Sequence, residues 1–212
     1  MNRRTIGQVA FAILLIALAT WNFLKPSDGR KIDLNPYKAL GSVASGETSK
    51  LLGHQGGIVI VIPDPGTEAD PVMDAQIAAY RSGLKEAGKV SIQAVETVKM
   101  DSFLRMQTGG AMPAEQFLAL LKRHPSAGAF VLFIGFPGLM DSEIAQVQSH
   151  RGKRIVISAS LPNYQELIET GALHMAIVPR TNSADERLPT PTSTREAFDQ
   201  EYLILRPAAA AP

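Results

Sequence analysis

Ten residues, Gly56-Gly57-Ile58-Val59-Ile60-Val61-Ile62-Pro63-Asp64-Pro65, constrain this chain more than any other stretch. A run of β-branched residues opens after two glycines and closes on prolines. It is too short to span a bilayer and too β-branched for a favourable helix, so it predicts a strand buried on both faces. Such a strand needs cover above and below. Amphipathic segments flank it, and further apolar runs follow at intervals suited to a parallel sheet.

Before the strand, Asn35-Pro36 predicts a helix start, with a cap residue followed by proline at the first helical position. Tyr37, Leu40, Val43, Ala44, Leu51 and Leu52 recur at helical spacing, and Gly53 can end the helix in a left-handed turn. After the strand, Met73, Ile77, Tyr80 and Leu84 share one stripe that ends at Gly88, and residues 90–98 form a second strand. Pro113 opens a helix that buries Phe117, Leu118, Leu120 and Leu121 and closes at His124-Pro125; residues 129–135 are a third, wholly apolar strand. Asp141 caps a helix carrying Ile144 and Val147, and residues 154–158 are a fourth strand. Asn163 caps a helix through Ile168 that Gly171 stops, and residues 173–178 are a fifth. Strands alternating with amphipathic helices are βαβ units. They predict an α/β fold with a doubly wound, mostly parallel sheet of five or six strands, Rossmann-like in layout.

The two ends depart from that rhythm. Residues 5–24 carry no charge, enough to span a bilayer as a helix, and Trp21 stands where an interfacial aromatic anchors one. Two readings stay open: an uncleaved signal anchor, or a signal peptide with Ala17-Leu18-Ala19 as its cleavage site. Arg3 and Arg4 on one side nearly balance Lys25, Arg30 and Lys31, offset by Asp28, on the other. Either signal reading places the domain outside the cytoplasm, anchored by a single pass in the cytoplasmic membrane or secreted after cleavage near Ala19. The expected plan is an anchor or signal over 1–24, a linker over 25–34 and an α/β domain over 35–180. A C-terminal extension over 181–205 and a disordered Ala/Pro tail over 206–212 complete it. Within the extension, Ser193 with Glu196 suits a capping box, and residues 202–205 offer one last edge strand.

Charge and composition exclude several roles. Taking Arg3 and Arg4 away from 21 basic residues leaves 19 against 20 acidic ones, so no basic surface exists for nucleic acid. Cysteine is absent, which removes disulfides, thiolate metal sites, a cysteine nucleophile and a lipid-modified cysteine. No phosphate-binding G-x-x-x-x-G-K-[ST] occurs, and Gly53, Gly56 and Gly57 precede a strand, whereas the dinucleotide fingerprint follows one. Gly109-Gly110 reads as an anion cradle or as a plain connection. Ser158 and Ser160 lack a G-x-S-x-G elbow and a neighbouring histidine in the sequence; hydroxyls at a strand end commonly satisfy backbone groups. The acids Asp64, Glu68, Asp70 and Asp74 suit a helix start better than a cation loop. The expectation is no cofactor, no metal and no catalytic residue, with an enzyme of non-standard site as the weaker alternative.

Four segments carry a resemblance. Leu51-Leu52-Gly53-His54-Gln55-Gly56-Gly57-Ile58-Val59-Ile60-Val61 is a helix running through a Gly-rich turn into a strand. Arg81-Ser82-Gly83-Leu84 gives an Arg-x-Gly-aliphatic helix core, and Leu120-Leu121-Lys122-Arg123-His124-Pro125 a helix ending in His-Pro before a strand. Glu166-Leu167-Ile168-Glu169-Thr170-Gly171 leads a helix into the last parallel strand. Over residues 35–180 this order resembles the C-terminal lobe of type I periplasmic sugar-binding proteins, the ribose- and galactose-binding kind. The resemblance implies a single lobe, with no second lobe to close a cleft within these residues. It also implies an Asn-Asp pair, an Asp and a Gln at three strand ends. This chain has Phe136-Pro137, Ser158-Ala159-Ser160 and Arg180 there instead, and only Arg81 matches a ligand residue.

Two functions follow as expectations. In one, the domain is a membrane-anchored binding or assembly module that self-associates or docks on a protein, with Phe136-Pro137-Gly138-Leu139-Met140 as an exposed apolar contact. In the other, the carboxyl edge of the sheet holds a small sugar-like or anionic ligand through Asp64, Arg81, Ser158, Ser160 and Arg180.

Overall fold

The computed structural model describes residues 32–66, 70–157, 164–181 and 189–208. The expected anchor or signal peptide lies outside the described residues, as do Glu68, Ser158, Ser160 and Asn163. Among the described residues no helix is long and apolar enough to cross a membrane. The chain divides into two units, Met1–Asp33 and Leu34–Pro212, and every described helix and strand belongs to the second.

In chain order these are α1 (Asn35–Leu51), β1 (Gln55–Pro63), α2 (Pro71–Glu86), β2 (Lys89–Val98), α3 (Ser102–Gln107), α4 (Ala114–Arg123) and β3 (Ala129–Leu132). Then follow α5 (Asp141–Ser149), β4 (Lys153–Ile157), α6 (Tyr164–Glu169), β5 (Met175–Pro179), α7 (Thr194–Glu201) and β6 (Tyr202–Leu205). The six strands form one sheet in the order β2-β1-β3-β4-β5-β6; the first five are parallel and β6 is antiparallel to β5. The α/β, mostly parallel sheet is the one the strand-helix alternation predicts.

Side chains of a strand alternate between faces, and β1 shows why its run has to be continuously apolar. Ile58 and Ile60 join Ala44 of α1, Tyr80 and Leu84 of α2 and Phe198 of α7 in one core layer. Val59 and Val61 join Phe117 and Leu121 of α4, Val147 of α5 and Ile168 of α6 in the other. Burying each such aliphatic side chain contributes about 1.5–3 kcal/mol. A polar residue anywhere in the run would face one of two dry layers.

On the first layer α1 lies directly against α2. A Cβ at Gly41 would fall 2.2 Å from the Gln76 carbonyl, so only glycine permits this approach. Across the contact the Tyr80 hydroxyl donates to Thr48 Oγ1 at 3.0 Å, and Thr48 Oγ1 donates to the Ala44 carbonyl at 2.8 Å. α1 ends as expected through Gly53 at φ +64°, where the amide of His54 reaches the Ser49 carbonyl at 2.8 Å.

Several local expectations need correction. The cap of α1 is Leu34, without a side-chain bond, and Asn35 is already helical. Asp141 is likewise the first residue of α5; Met140 precedes it, and its amide donates to Glu143 Oε2 at 2.8 Å. Ser193 does cap α7, but Glu196 reaches back to the amide and hydroxyl of Thr192. β6 is the edge strand expected at residues 202–205, α7 packs on α1, and Glu47 pairs with Arg206. Glu47 is buried within the apolar stripe of α1, and Lys50 and Arg195 also lie within ion-pair distance of it. A charge set in a buried stripe is retained where cations reach it.

Candidate functional site

Sequence-adjacent β1 and β2 pair on one side of β1, while β3 lies on the other, so the order of winding reverses between β1 and β3. The crevice beyond the carboxyl ends at such a switch point is where open α/β sheets bind ligands. Here that crevice is occupied by the chain itself. Beyond Leu132, the amide of Phe133 donates to the Val61 carbonyl at 2.8 Å, prolonging β3 toward Gly135. Ala111 then bridges Gly135 in parallel, and the Met112 amide donates to the Gly135 carbonyl at 2.9 Å. A Cβ at Gly135 would stand 2.9 Å from the Ala111 Cα, so the residue must be glycine for the two segments to meet. Met112 and Phe136 are each 1% exposed, and Phe136 stacks edge-on against Phe117 of α4 with centroids 5.1 Å apart.

This corrects the expectation for residues 136–140. Phe136 and Pro137 are buried, Leu139 is half-buried, and Gly138 and Met140 are exposed, Met140 at 67%. Phe136 is buried because Phe117 of α4 covers it.

Of the expected ligand contacts, Asp64, Arg81 and Arg180 lie among the described residues, and these three are not brought together. Asp64 continues β1 by donating its amide to the Val98 carbonyl at 2.9 Å, and its Oδ1 accepts the Gly66 amide at 3.1 Å, an Asx-turn. Arg180 follows β5; its amide donates to the Glu201 carbonyl at 2.7 Å and its Nε to the Tyr202 carbonyl at 3.2 Å, tying α7 and β6 to the sheet. β1 and β5 are separated by β3 and β4, so Asp64 and Arg180 emerge about 14 Å apart at ordinary strand spacing. Arg81 is exposed on α2, about 15 Å along the helix from its start at the carboxyl edge. The helix runs back toward the amino edge, and that removes Arg81 from the crevice. Ser158 and Ser160 fall outside the described residues.

Other polar groups near this edge are committed to local geometry. Asp70 Oδ1 accepts the amides of Val72 and Met73 at 3.0 Å and caps α2, and Asp101 Oδ1 accepts the Leu104 amide at 2.7 Å and caps α3. Gly109 and Gly110 both have positive φ, and the Gly110 amide closes on the Arg105 carbonyl at 2.8 Å. They end α3 as a connection. Glu96, nominally at a strand end, is held below the usual carboxylate range chiefly by its hydrogen bond to His124, 2.7 Å away, with Arg123 adding a second contact at 2.7 Å. It fastens edge strand β2 to α4. Among the described residues no three histidines or acids gather as a metal site.

Polar groups do converge at the opposite, amino edge. Arg154, second residue of β4, is 2% exposed and has its Nε 3.0 Å from the Ala172 carbonyl. Its Nη1 donates to the carbonyls of His150 and Gly152 at 2.8 and 2.7 Å, and its Nη2 to Gly171 at 2.8 Å. These carbonyls follow the ends of α5 and α6, where backbone acceptors are left over and the helix dipole is negative. Burial lowers the Arg154 pKa to about 10, so it remains a cation at neutral pH. Beside it, burial foremost, and Arg154 next, hold the His174 pKa at about 4, and its Nδ1 accepts the Arg154 amide at 3.3 Å. His150 is also held below its ordinary value by burial, and its Nδ1 accepts the Gly152 amide at 3.0 Å. Sealed and saturated with backbone partners, Arg154 joins two helix ends to the sheet. The sequence signal for it was present: an arginine opening an otherwise apolar strand, just after His-Arg-Gly-Lys.

No protein-family model matches the chain, and no curated protein sequence matches it. Solved structures do. An ABC transporter solute-binding protein from Burkholderia graminis in complex with D-arabinose superposes with a TM-score of 0.54 at 14% identity, over 80% of this chain and 59% of that one. The arabinose-binding protein AraP from Geobacillus stearothermophilus gives 0.53 at 15%, over 80% and 60%. A XylFII molecule gives 0.52 at 15%, over 81% and 61%. The chain thus spans about three-fifths of the length of these neighbours and shares their fold, consistent with a single lobe.

Proposed function

We propose that the protein is a non-enzymatic, extracytoplasmic assembly domain, tethered to the membrane by its N-terminal apolar segment and built on a solute-binding lobe whose ligand crevice is filled. The observation that carries this is the closed switch point, where Met112, Phe136 and Phe117 pack across the carboxyl ends of β1 and β3. Sugar recognition needs polar groups fixed around one concavity. Among the described residues, Asp64 and Arg180 are spread along the edge and tied to backbone groups. The uncharged stretch over 5–24 and Trp21 support the tether, and the fold shared with a transporter solute-binding protein and an arabinose-binding protein supports the side of the membrane.

A thermal-shift panel on the full chain in detergent, against pentoses, hexoses, nucleotides, amino acids and divalent ions, tests the reading. A ligand that binds the native state well above its dissociation constant raises the melting point. The expected result is no shift. A sugar that raises the melting point, with the shift abolished by Arg180→Ala, would replace this reading with the small-ligand one.

A further inference from the structure

Large apolar side chains exposed beyond 60% are three among the described residues: Phe103 at 64%, Met106 at 76% and Met140 at 67%. All three belong to the carboxyl edge, and none to the amino edge. Phe103 and Met106 are three residues apart on α3, hence on one face of its single exposed turn. Met140 stands at the start of α5. Both segments spring from the Ala111–Gly135 bridge, α3 ending four residues before it and Met140 lying five residues after it.

The charges beside them differ in sign. Lys99 and Arg105 are exposed around α3, where Asp101 is engaged in capping. Asp141 is exposed and Glu143 half-exposed around Met140. With Asp101 counted beside Lys99 and Arg105, one lip is apolar with an excess of positive charge, and with Asp141 and Glu143 the other is apolar and acidic. A two-fold axis places unlike lips against each other twice, as an isologous interface requires. A self-complementary surface of this kind specifies its own copy over an unrelated acidic or basic protein.

We propose that the lobe pairs with a second copy of itself through this carboxyl edge, with Phe103, Met106 and Arg105 of one copy against Met140 and Asp141 of the other. This deepens the assembly reading and rests on it.

The chain has no cysteine, so single cysteines report without background. Met106→Cys in one tagged copy and Met140→Cys in a differently tagged copy, co-expressed as full chains in membranes and oxidised, should give a mixed disulfide dimer. Arg151→Cys at the exposed amino edge should give none. Arg105→Asp alone, or Asp141→Arg alone, should lower the mixed yield about tenfold through like-charge contact, and the two together should restore it. Absence of the mixed product from folded chains, cross-linking to a different protein in its place, or a double reversal that fails to restore it would overturn the proposal. A sugar-dependent melting shift would overturn the assembly reading itself; a blank sugar panel without the mixed disulfide rejects only the self-pairing.

Discussion

At the amino edge of the sheet a buried guanidinium meets the backbone carbonyls of His150, Gly152, Gly171 and Ala172, and burial pushes the two histidines beside it toward the neutral form. At the carboxyl edge, the customary place for function in this fold, Met112 and Phe136 fill the crevice and the nearby acids cap helices. The polar investment is at the end where helices terminate, because leftover carbonyls there need donors. At the other end, Asp70 and Asp101 supply the helix starts locally.

The contrast can be broken from either side. The largest effect is expected at the plug: Phe136→Ala should lose about 3–5 kcal/mol in equilibrium denaturation, the ordinary result for a buried aromatic truncated in a packed core. A loss near zero would mean the crevice is open. Arg154→Lys should cost about 2–3 kcal/mol, since an ammonium cannot reach acceptors arranged for a planar fork and leaves buried carbonyls unmet. Tolerance of lysine would show that the network is incidental.

Acid sharpens the comparison further. The folded pKa values of His150 and His174 lie below the unfolded value near 6.5, so the unfolded chain takes up protons first. Their contribution is fully present above about pH 6.5 and is lost progressively as pH falls toward the folded His174 value of about 4. Denaturation midpoints at pH 7 and pH 5 should differ in that direction, and His174→Gln should shrink the difference. At the smaller end, Tyr80→Phe should cost about 1 kcal/mol for the bond to Thr48.

The layers and the mostly parallel sheet are readable because burial imposes period. The unbroken Ile58–Val61 aliphatic run demands cover on both faces, and the stripes of Tyr80 and Leu84, or Phe117 and Leu121, supply it. The site was less readable because residue type at a strand end does not fix direction. Phe136 looked exposed by its place after β3, yet the Ala111–Gly135 bridge draws α4 over it, a contact between segments 24 residues apart. Arg81 shared a local pattern with ligand-binding helices, but helix length carries it away from the edge. Arg154 and Glu47 are less legible because part of what holds them, the carbonyls of Gly171 and Ala172 and the C-terminal Arg206, comes from distant chain.

The closed carboxyl edge is tested most directly by hydrogen exchange on the full chain, followed by mass spectrometry of peptides covering residues 111–117 and 130–136. The amides of Met112 and Phe133 are bonded to Gly135 and Val61. They should exchange as slowly as those of the β1 core. Exchange of these amides at the rate of exposed loops would show that the crevice opens, and would contradict the account of the carboxyl edge as a packed surface.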